Sequence, residues 1–533
     1  MPARVLRSTG SGRRPVEDIH TSLTPLTTAE ANLVRLAEQA HRDLDALAHP
    51  AAAWVRPVAG PGGEPVAEVV IVGAGQAGLI VGLALKREGV RKIVLLDRNP
   101  SGCEGPWETF ARMEVLRTPK TLVGAELNIP SLSVRSWFEA RYGTEAWQKI
   151  TWIPRRDWMA YLRWYRTIAG LDIRNEVEVA GIAPAGDLLA VKTEAAARCD
   201  TLLARRVVIA TGHDGGGSWS VPEIITAALP PQAYAHSNGP IDFGALVGKR
   251  VGVLGHGGSA FDAGLAALYN GAASVDLCFR RALLPVVNPH RWLEFSGFLA
   301  HYRELDDRTR WNVGRHFDVE DQPPPRHTFE RARAEPRLQV HGDSAWRTVA
   351  WTGTKIEVTT DRDRFAFDFV IAATGVRNDL SRRPELTGIA DLIATWSDRF
   401  TPPPEEVHPE LAKLPYLGTH FEFLEKVPST APFLAHIYAF NFSAMVSMGP
   451  VSTSITGHRY GVPRLVRGVT RSLYLEQEDG LLASLRGFIE PEIDPDAAAM
   501  FSPPLTSRGG TGFELCSGTG LTCGPGFHGA GSN

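Results

Sequence analysis

The sequence predicts an α/β protein built from two similar strand–turn–helix units, and three observations carry that reading. An apolar strand runs into a Gly-rich turn and then an apolar helix twice, after Val69–Val72 and again after Val251–Leu254. Each unit is followed far downstream by an apolar strand ending in Thr-Gly, VVIATG at Val207–Gly212 and VIAATG at Val370–Gly375. The strands are runs of Val, Ile and Leu without polar alternation, the pattern of parallel strands covered on both faces. The repeat is one of fold rather than of sequence.

The first turn reads Gly73-Ala74-Gly75-Gln76-Ala77-Gly78 and opens the helix LIVGLALKREG. Gly73 permits the tight bend, Gly75 lets backbone approach a pyrophosphate, and Gly78 lets helix and strand pack closely. The helix N-terminus adds free N–H groups and partial positive charge. The next strand, KIVLLD, ends at Asp97, 24 residues after Gly73, with Arg98 beside it. A carboxylate there accepts bonds from both ribose hydroxyls and repels a 2′-phosphate, so this site suits FAD or NAD rather than NADP.

The second turn reads Gly255-His256-Gly257-Gly258-Ser259-Ala260, with Ala in the third glycine position. Its following strand, SVDLCF, ends at Arg280 and Arg281, 25 residues past Gly255. Guanidinium groups match a phosphate in shape and charge, so this site is expected to bind NADPH. The competing reading is a solvated strand edge. The predicted architecture is two Rossmann-like dinucleotide-binding domains, with the FAD domain split by an inserted NADPH domain.

Along the chain, residues 1–65 read as an N-terminal extension and linker. Residues 1–27 are polar and expected to be mobile. Thr27 or Thr28 is placed to cap a helix carrying Leu33, Leu36, Ala40, Leu44 and Leu47. The FAD domain's first segment spans 66–215, with an amphipathic aromatic helix around Asp157–Tyr165 expected in the core. The NADPH domain spans 216–375, with a helical insertion at about 285–330 containing His290, His301, His316, His327, Trp292 and Trp311. That insertion lines either a substrate entrance or a subunit contact. The chain returns to the FAD domain over 376–500, with a helix from about Gly457 to Tyr474, and a Gly-rich tail over 501–533 is expected to be disordered.

Composition removes several classes. Lys+Arg is 56 against Asp+Glu 59, a net charge of −3, so no electrostatic reason exists to expect nucleic acid or an anionic membrane as partner. The five cysteines form no CxxC pair, which argues against a disulfide scaffold, a dithiol redox centre and a metal site. The apolar run Val69–Leu85 is broken by Gly73, Gly75, Gln76 and Gly78, so no membrane span is expected. The N-terminus lacks an apolar signal core, and a cytoplasmic location follows as the expectation.

With these motifs in place the sequence resembles the class B flavin-dependent monooxygenases, comprising the flavin-containing, Baeyer–Villiger and N-hydroxylating enzymes. The resemblance covers about Val66 to Phe488. Gly105-Pro106-Trp107 stands where these enzymes carry a Gly-Gly-x-Trp segment whose Trp lies near FAD. Gly255-x-Gly257-x-Ser259-Ala260 is similar to their NADPH fingerprint, and Thr211-Gly212 and Thr374-Gly375 fall where theirs do. The resemblance implies that NADPH reduces FAD, and that O2 adds at C4a to give a (hydro)peroxyflavin that oxygenates a small organic substrate. The oligomeric state, including a homo-oligomer, is left open.

The Baeyer–Villiger signature Phe-x-Gly-x-x-x-His-x-x-x-Trp is broken. Pro230 and Gln232 hold the Phe and Gly positions before His236, and Pro240 holds the Trp position. Heteroatom (N or S) oxygenation is therefore favoured over Baeyer–Villiger insertion, with an NAD(P)H-dependent flavin reductase or oxidase, or a non-catalytic flavoprotein, as further readings. Arg112, Arg117, Lys120 and Arg135 are either cationic partners of the flavin or surface charge. Asn441, in the apolar stretch Phe433–Met448, is either a flavin or substrate donor or a satisfied buried amide. The resemblance also implies that the helix N-terminus near Gly457 faces the flavin ring. No acid–base pair announces itself, so the catalytic residues are unassigned.

Overall fold

The structure is a computed structural model and describes residues 23–48, 53–121, 124–196, 198–494, 496, 497 and 500. The expectations for most of 1–27 and for the tail at 501–533, with Cys516 and Cys523, lie outside the described residues.

The first Gly-rich turn belongs to a seven-stranded sheet. Strand Val66–Val72 pairs in parallel with Ile93–Leu96 on one side and with Arg198–Ile209 on the other. Ile93–Leu96 pairs in parallel with Asp172–Arg174. The long strand Arg198–Ile209 has two halves. Its first half pairs antiparallel with Leu188–Ala195, which pairs with Glu178–Ala185. Its second half takes the returning strand Ile437–Ala439 in parallel. Val69, Val70 and Ile71 are fully buried, as are Val207 and Val208, which explains runs with no polar alternation.

The second turn belongs to a five-stranded parallel sheet ordered Leu338–His341, Ser274–Cys278, Arg250–Leu254, Phe369–Ala372, Tyr234–His236. In both sheets the strand that enters the glycine turn has neighbours on opposite sides, one next in sequence and one from far downstream. The chain therefore reverses its strand order there, and in open α/β sheets ligands bind at the carboxyl ends of such strands. A small antiparallel sheet, Thr348–Trp351, Ile356–Thr359 and Arg364–Phe367, packs on the second sheet. Its Phe367 ring lies so close to Gly252 that a Cβ there would meet it at 2.6 Å. The two crossovers between the halves run side by side, Gly217–Trp219 antiparallel to Val376–Asn378.

The N-terminal helix spans Ala29–Ala46 and packs near the helix Val134–Tyr142. Thr28 does precede it but does not cap it. Its hydroxyl instead takes a bond from the Asn32 side chain at 3.2 Å. The aromatic helix runs Arg155–Ala169, with Trp158, Tyr161 and Tyr165 buried. The described residues from Glu478 to Met500 belong to a separate unit, which includes the short helix Leu481–Arg486. Among the described residues no helix is long and apolar enough to cross a membrane.

Two adjacent arginines, Arg205 and Arg206, are buried in the long strand. Glu476, just past the helix His458–Leu475, receives both guanidinium groups at 3.1 and 2.8 Å, and Ser472 takes Arg206 Nε at 2.7 Å. Removing one partner of such a pair strands the buried charge, at a cost of about 3 kcal/mol. Glu476→Gln is expected to lower unfolding free energy by roughly that amount in urea titrations. An unchanged midpoint would contradict this account of the helix–sheet joint.

Candidate active site

At the first turn, two glycines are required by the protein itself. Gly73 has φ +101°, and a Cβ on it would lie 2.6 Å from the Ala210 carbonyl. A Cβ on Gly78 would lie 1.9 Å from the Gly73 carbonyl, so turn and helix touch through bare backbone. Gly75 differs. Its φ is −67°, and a Cβ would meet nothing nearer than Gly105 Cα at 3.5 Å. Nothing in the fold needs its hydrogen side chain, so the opening it leaves is available to a ligand. Asp97 is buried beside the turn. Its Oδ2 accepts the Ala74 N–H at 2.8 Å and its Oδ1 the Asn99 N–H at 2.9 Å. Burial pushes its pKa up while these two bonds pull it down. The carboxylate thus shapes the turn, and each oxygen keeps a lone pair for a further donor.

The turn opens into a cavity of about 470 Å³, within the size range of small-molecule sites. Gly73, Gly75, Gln76 and Asp97 line it, joined by Arg98, Trp107, Thr211 and Gly212. Gly78 lies beneath the turn. The aromatic helix supports this wall. Trp158 donates its indole N–H to Gln76 Oε1 at 3.2 Å and packs edge-on to Trp107 at 6.3 Å. Trp107 Nε1 is buried without a hydrogen-bond partner among the described residues, a donor left for a ligand. Asn441 is a satisfied buried amide. It donates to Thr211 Oγ1 at 3.2 Å and accepts from the Ser443 N–H at 3.0 Å and the Ser443 hydroxyl at 2.7 Å.

The second turn repeats the first. Gly255 has φ +140°, and a Cβ would lie 2.3 Å from the Ala373 carbonyl, while a Cβ on Gly257 would have no atom within 4 Å. Ala260 is fully buried at the third position and Ser259 is exposed. Arg280 is exposed, and Arg281 donates to the Val319 carbonyl at 2.6 Å. Thr374 Oγ1 bonds the Ser220 carbonyl, and the Gly375 carbonyl accepts from His236 Nε2 at 3.1 Å. None of these residues lines the cavity of the first turn. The open backbone at Gly75 and Gly257 fits two separate pyrophosphates, one per turn.

Of the four cations weighed in the sequence, only Arg117 lines the cavity. Arg112 bonds the Thr109 and Gly239 carbonyls, Lys120 the Trp147 carbonyl and Arg135 the Glu139 carboxylate. Arg117 also reaches the second turn. A Cβ on Gly258 would lie 2.6 Å from its Nη2, at the N-terminus of the helix Gly258–Tyr269. A cation at a helix N-terminus is unfavourable. Asp262, 2.9 Å away, offsets it.

Residues 70–294 match the profile of a family described as pyridine nucleotide-disulphide oxidoreductase. An FAD-dependent urate hydroxylase from Xanthomonas campestris pv. campestris is 41% identical over 461 residues, covering 86% of this chain and 97% of that protein. The chain belongs to the FAD-dependent flavoprotein monooxygenases. Among solved structures, the ornithine hydroxylase of Pseudomonas aeruginosa shares its fold with a TM-score of 0.61 at 17% identity, over 76% of this chain and 100% of that one. A Kutzneria ornithine N-hydroxylase, solved with reduced FAD, NADP+ and L-ornithine, does so at 0.58 and 16%, over 76% and 99%. FAD and NADPH are the cofactors of such monooxygenases. The described cysteines Cys103, Cys199 and Cys278 are free thiols.

In this monooxygenase the insertion lines the cavity, an outcome the sequence left open. Asn288, His290, Arg291, Glu294 and Gln322 all contribute. They come from loops and the three-residue 3-10 turn Pro289–Arg291, too short for any periodicity to mark a side chain as facing a site. The loop before the helix His458–Leu475 also lines it, through Pro450, Val451, Thr453 and Ser454.

Two histidines brace the site without lining it. His236 stacks on Trp219 with rings 5.8 Å apart; its Nδ1 accepts the Asn238 N–H at 3.1 Å and its Nε2–H is spent on Gly375. His458 donates Nε2–H to the Thr453 carbonyl at 3.0 Å. Burial lowers the pKa of each to about 4, against bonds to those carbonyls that raise it. The unfolded chain takes up these protons near pH 6.5 and the folded chain does not, so stability falls as pH drops from about 6.5 towards 4. The full loss is about 3 kcal/mol for each histidine. The melting temperature is expected to fall between pH 7.5 and 5, with a shallower slope in His458→Gln. A Tm independent of pH over that range would contradict the buried neutral assignment.

Proposed function

We propose that this monooxygenase binds FAD at the Gly73–Gly78 turn and NADPH at the Gly255–Ala260 turn, and hydroxylates a small nitrogen heterocycle of the kind its Xanthomonas relative acts on. The observation that carries the reading is the 41% identity to an FAD-dependent urate hydroxylase along 86% of the chain. The continuous cavity from Gly75 to the insertion supports it, because one space serves both a flavin and a substrate. This reading departs from the sequence expectation of N or S oxygenation and takes hydroxylation of the heterocycle instead. The spent hydrogen bonds of His236 argue further against a Baeyer–Villiger role for that residue.

FAD, when bound, supplies the ring that accepts hydride from NADPH and activates O2. The chain's own residues bind and orient. Asp97 offers its remaining lone pairs to the ribose of FAD. Gly75 and the helix start face the pyrophosphate, and Trp107 with Trp158 and Gln76 walls the ring end from water. Arg117 stands between the two turns, where its charge serves an anionic phosphate. Arg280 and Arg281 select the 2′-phosphate of NADPH, which requires Arg281 to exchange its bond to Val319.

The test is turnover with urate under 18O2. The expected result is urate-dependent NADPH oxidation with one 18O atom in the product. Arg280→Ala with Arg281→Ala is expected to raise KM for NADPH about tenfold or more, the loss of roughly one charged phosphate contact, with little change for NADH. NADPH oxidation yielding stoichiometric peroxide and unlabelled product would overturn the oxygen-transfer reading. Equal effects of the double substitution on NADPH and NADH would overturn the phosphate assignment.

A further inference from the structure

The wall of the cavity built by the insertion has an unusual division of labour. Its charged side chains are already paired with one another. Arg291 Nη1 lies 2.9 Å from Glu294 Oε1, and its Nη2 is bonded to the Arg117 carbonyl. Arg383, elsewhere on the lining, is held between Glu385 at 3.0 Å and Asp214 at 3.5 Å. The neutral polar groups of the insertion wall are the ones left over. His290 Nδ1 is buried with no hydrogen-bond partner, and no described group bonds its Nε2. The ring is nonetheless held in place, edge-on to the buried Phe317 at 4.9 Å, with the His290 backbone N–H fixed on Asn288 Oδ1 at 3.0 Å. The Asn288 amide NH2 and the whole Gln322 side-chain amide, on half-buried residues of the lining, have no partner among the described residues, so His290 Nδ1 is the buried group left over and the two amides flank it.

Leaving a buried polar atom unpaired costs about 1–3 kcal/mol, so a group held rigidly in that state marks a place where a ligand completes the bond. Burial and the nearby Arg291 keep the pKa of His290 below the ordinary histidine value, against Asp321, so near neutral pH the imidazole is uncharged. A neutral imidazole offers one N–H donor and one acceptor, and a carboxamide offers both. Resting on the function proposed above, we infer that Asn288, His290 and Gln322 form the substrate subsite. It selects a planar heterocycle whose edge alternates N–H and C=O groups over amino acids and simple amines. An amino acid brings an ammonium and a carboxylate that need free counter-charges, and the charges of this wall are spent on each other. A lactam or ureide edge needs what is unspent. A site built to hydrogen-bond its substrate also rejects analogues lacking those groups, because its own polar atoms are then left unpaired.

The experiment uses the FAD-loaded full chain and measures NADPH oxidation with urate, L-ornithine and cadaverine, for the wild type and for His290→Phe, His290→Gln and Gln322→Leu. FAD content and melting temperature report whether each variant folds, and Gln322→Leu sits in a loop where folding is least at risk. Stimulation of the wild type by urate alone is expected. His290→Phe is expected to raise KM for urate about tenfold or more, with a smaller effect on kcat, the size of one lost hydrogen bond to a buried atom, and Gln322→Leu, at a half-buried position, to raise it about threefold. His290→Gln, which keeps a donor and an acceptor, is expected to recover part of that loss. Urate turnover with unchanged KM in both His290→Phe and Gln322→Leu would overturn the subsite and leave the proposed function standing. A wild type stimulated by L-ornithine or cadaverine, or by none of the three, would overturn both.

Discussion

The rest of the structure depends on one close approach, repeated in each half of the molecule. At the first turn a Cβ on Gly73 would lie only 2.6 Å from the Ala210 carbonyl, just past the end of the strand Arg198–Ile209. At the second, a Cβ on Gly255 would meet the Ala373 carbonyl at 2.3 Å. Bare backbone at these points lets the helix begin directly above the end of the strand. Its first N–H groups then face the crevice where the strand order reverses. Asp97 completes the first turn by holding the Ala74 N–H. Strand, turn and helix must agree in position to within a bond length before any cofactor can be received.

Much of this was legible in the sequence because the constraint is local. Glycine spacing, Val- and Ile-rich runs and a terminal Asp all lie within about thirty residues, and each has a steric reason to be where it is. Contacts made across long stretches of chain were not legible. Arg117 meets Asp262 145 residues away, and nothing near Arg117 distinguishes it from Arg112 or Arg135. The aromatic stripe of the helix Arg155–Ala169 read as core, and Tyr161 and Tyr165 are core. Trp158 shares that stripe but spends its indole N–H on Gln76 of the glycine turn, which no periodicity announces. Thr28 shows the opposite case, a good cap by residue type whose hydroxyl is taken by Asn32. The insertion was visible as a segment, yet the direction of Asn288, His290 and Gln322 was not, since loops and a three-residue turn carry no facing rule.

The halves of the molecule meet through a few polar fastenings. Arg117 links the cavity to the second glycine turn, and Glu114 binds Arg331 of the helix Arg326–Ala334. Asp321, which precedes the cavity-lining Gln322, lies 3.0 Å from His256 of the second turn. Arg281, at the end of the strand that follows that turn, bonds Val319 at the end of the helix Asp307–Glu320. The insertion that lines the cavity is therefore tied to the second glycine turn and to the end of the strand that follows it.

On this reading the bare backbone at Gly75 exists for a ligand and not for the fold. Titration of FAD into the apoprotein of Gly75→Ala tests it most directly, because the added methyl meets no protein atom closer than 3.5 Å. The expected result is an apoprotein with wild-type melting temperature whose FAD affinity has fallen tenfold or more, about 1.4 kcal/mol. A variant that takes up one FAD per chain with unchanged affinity would contradict it.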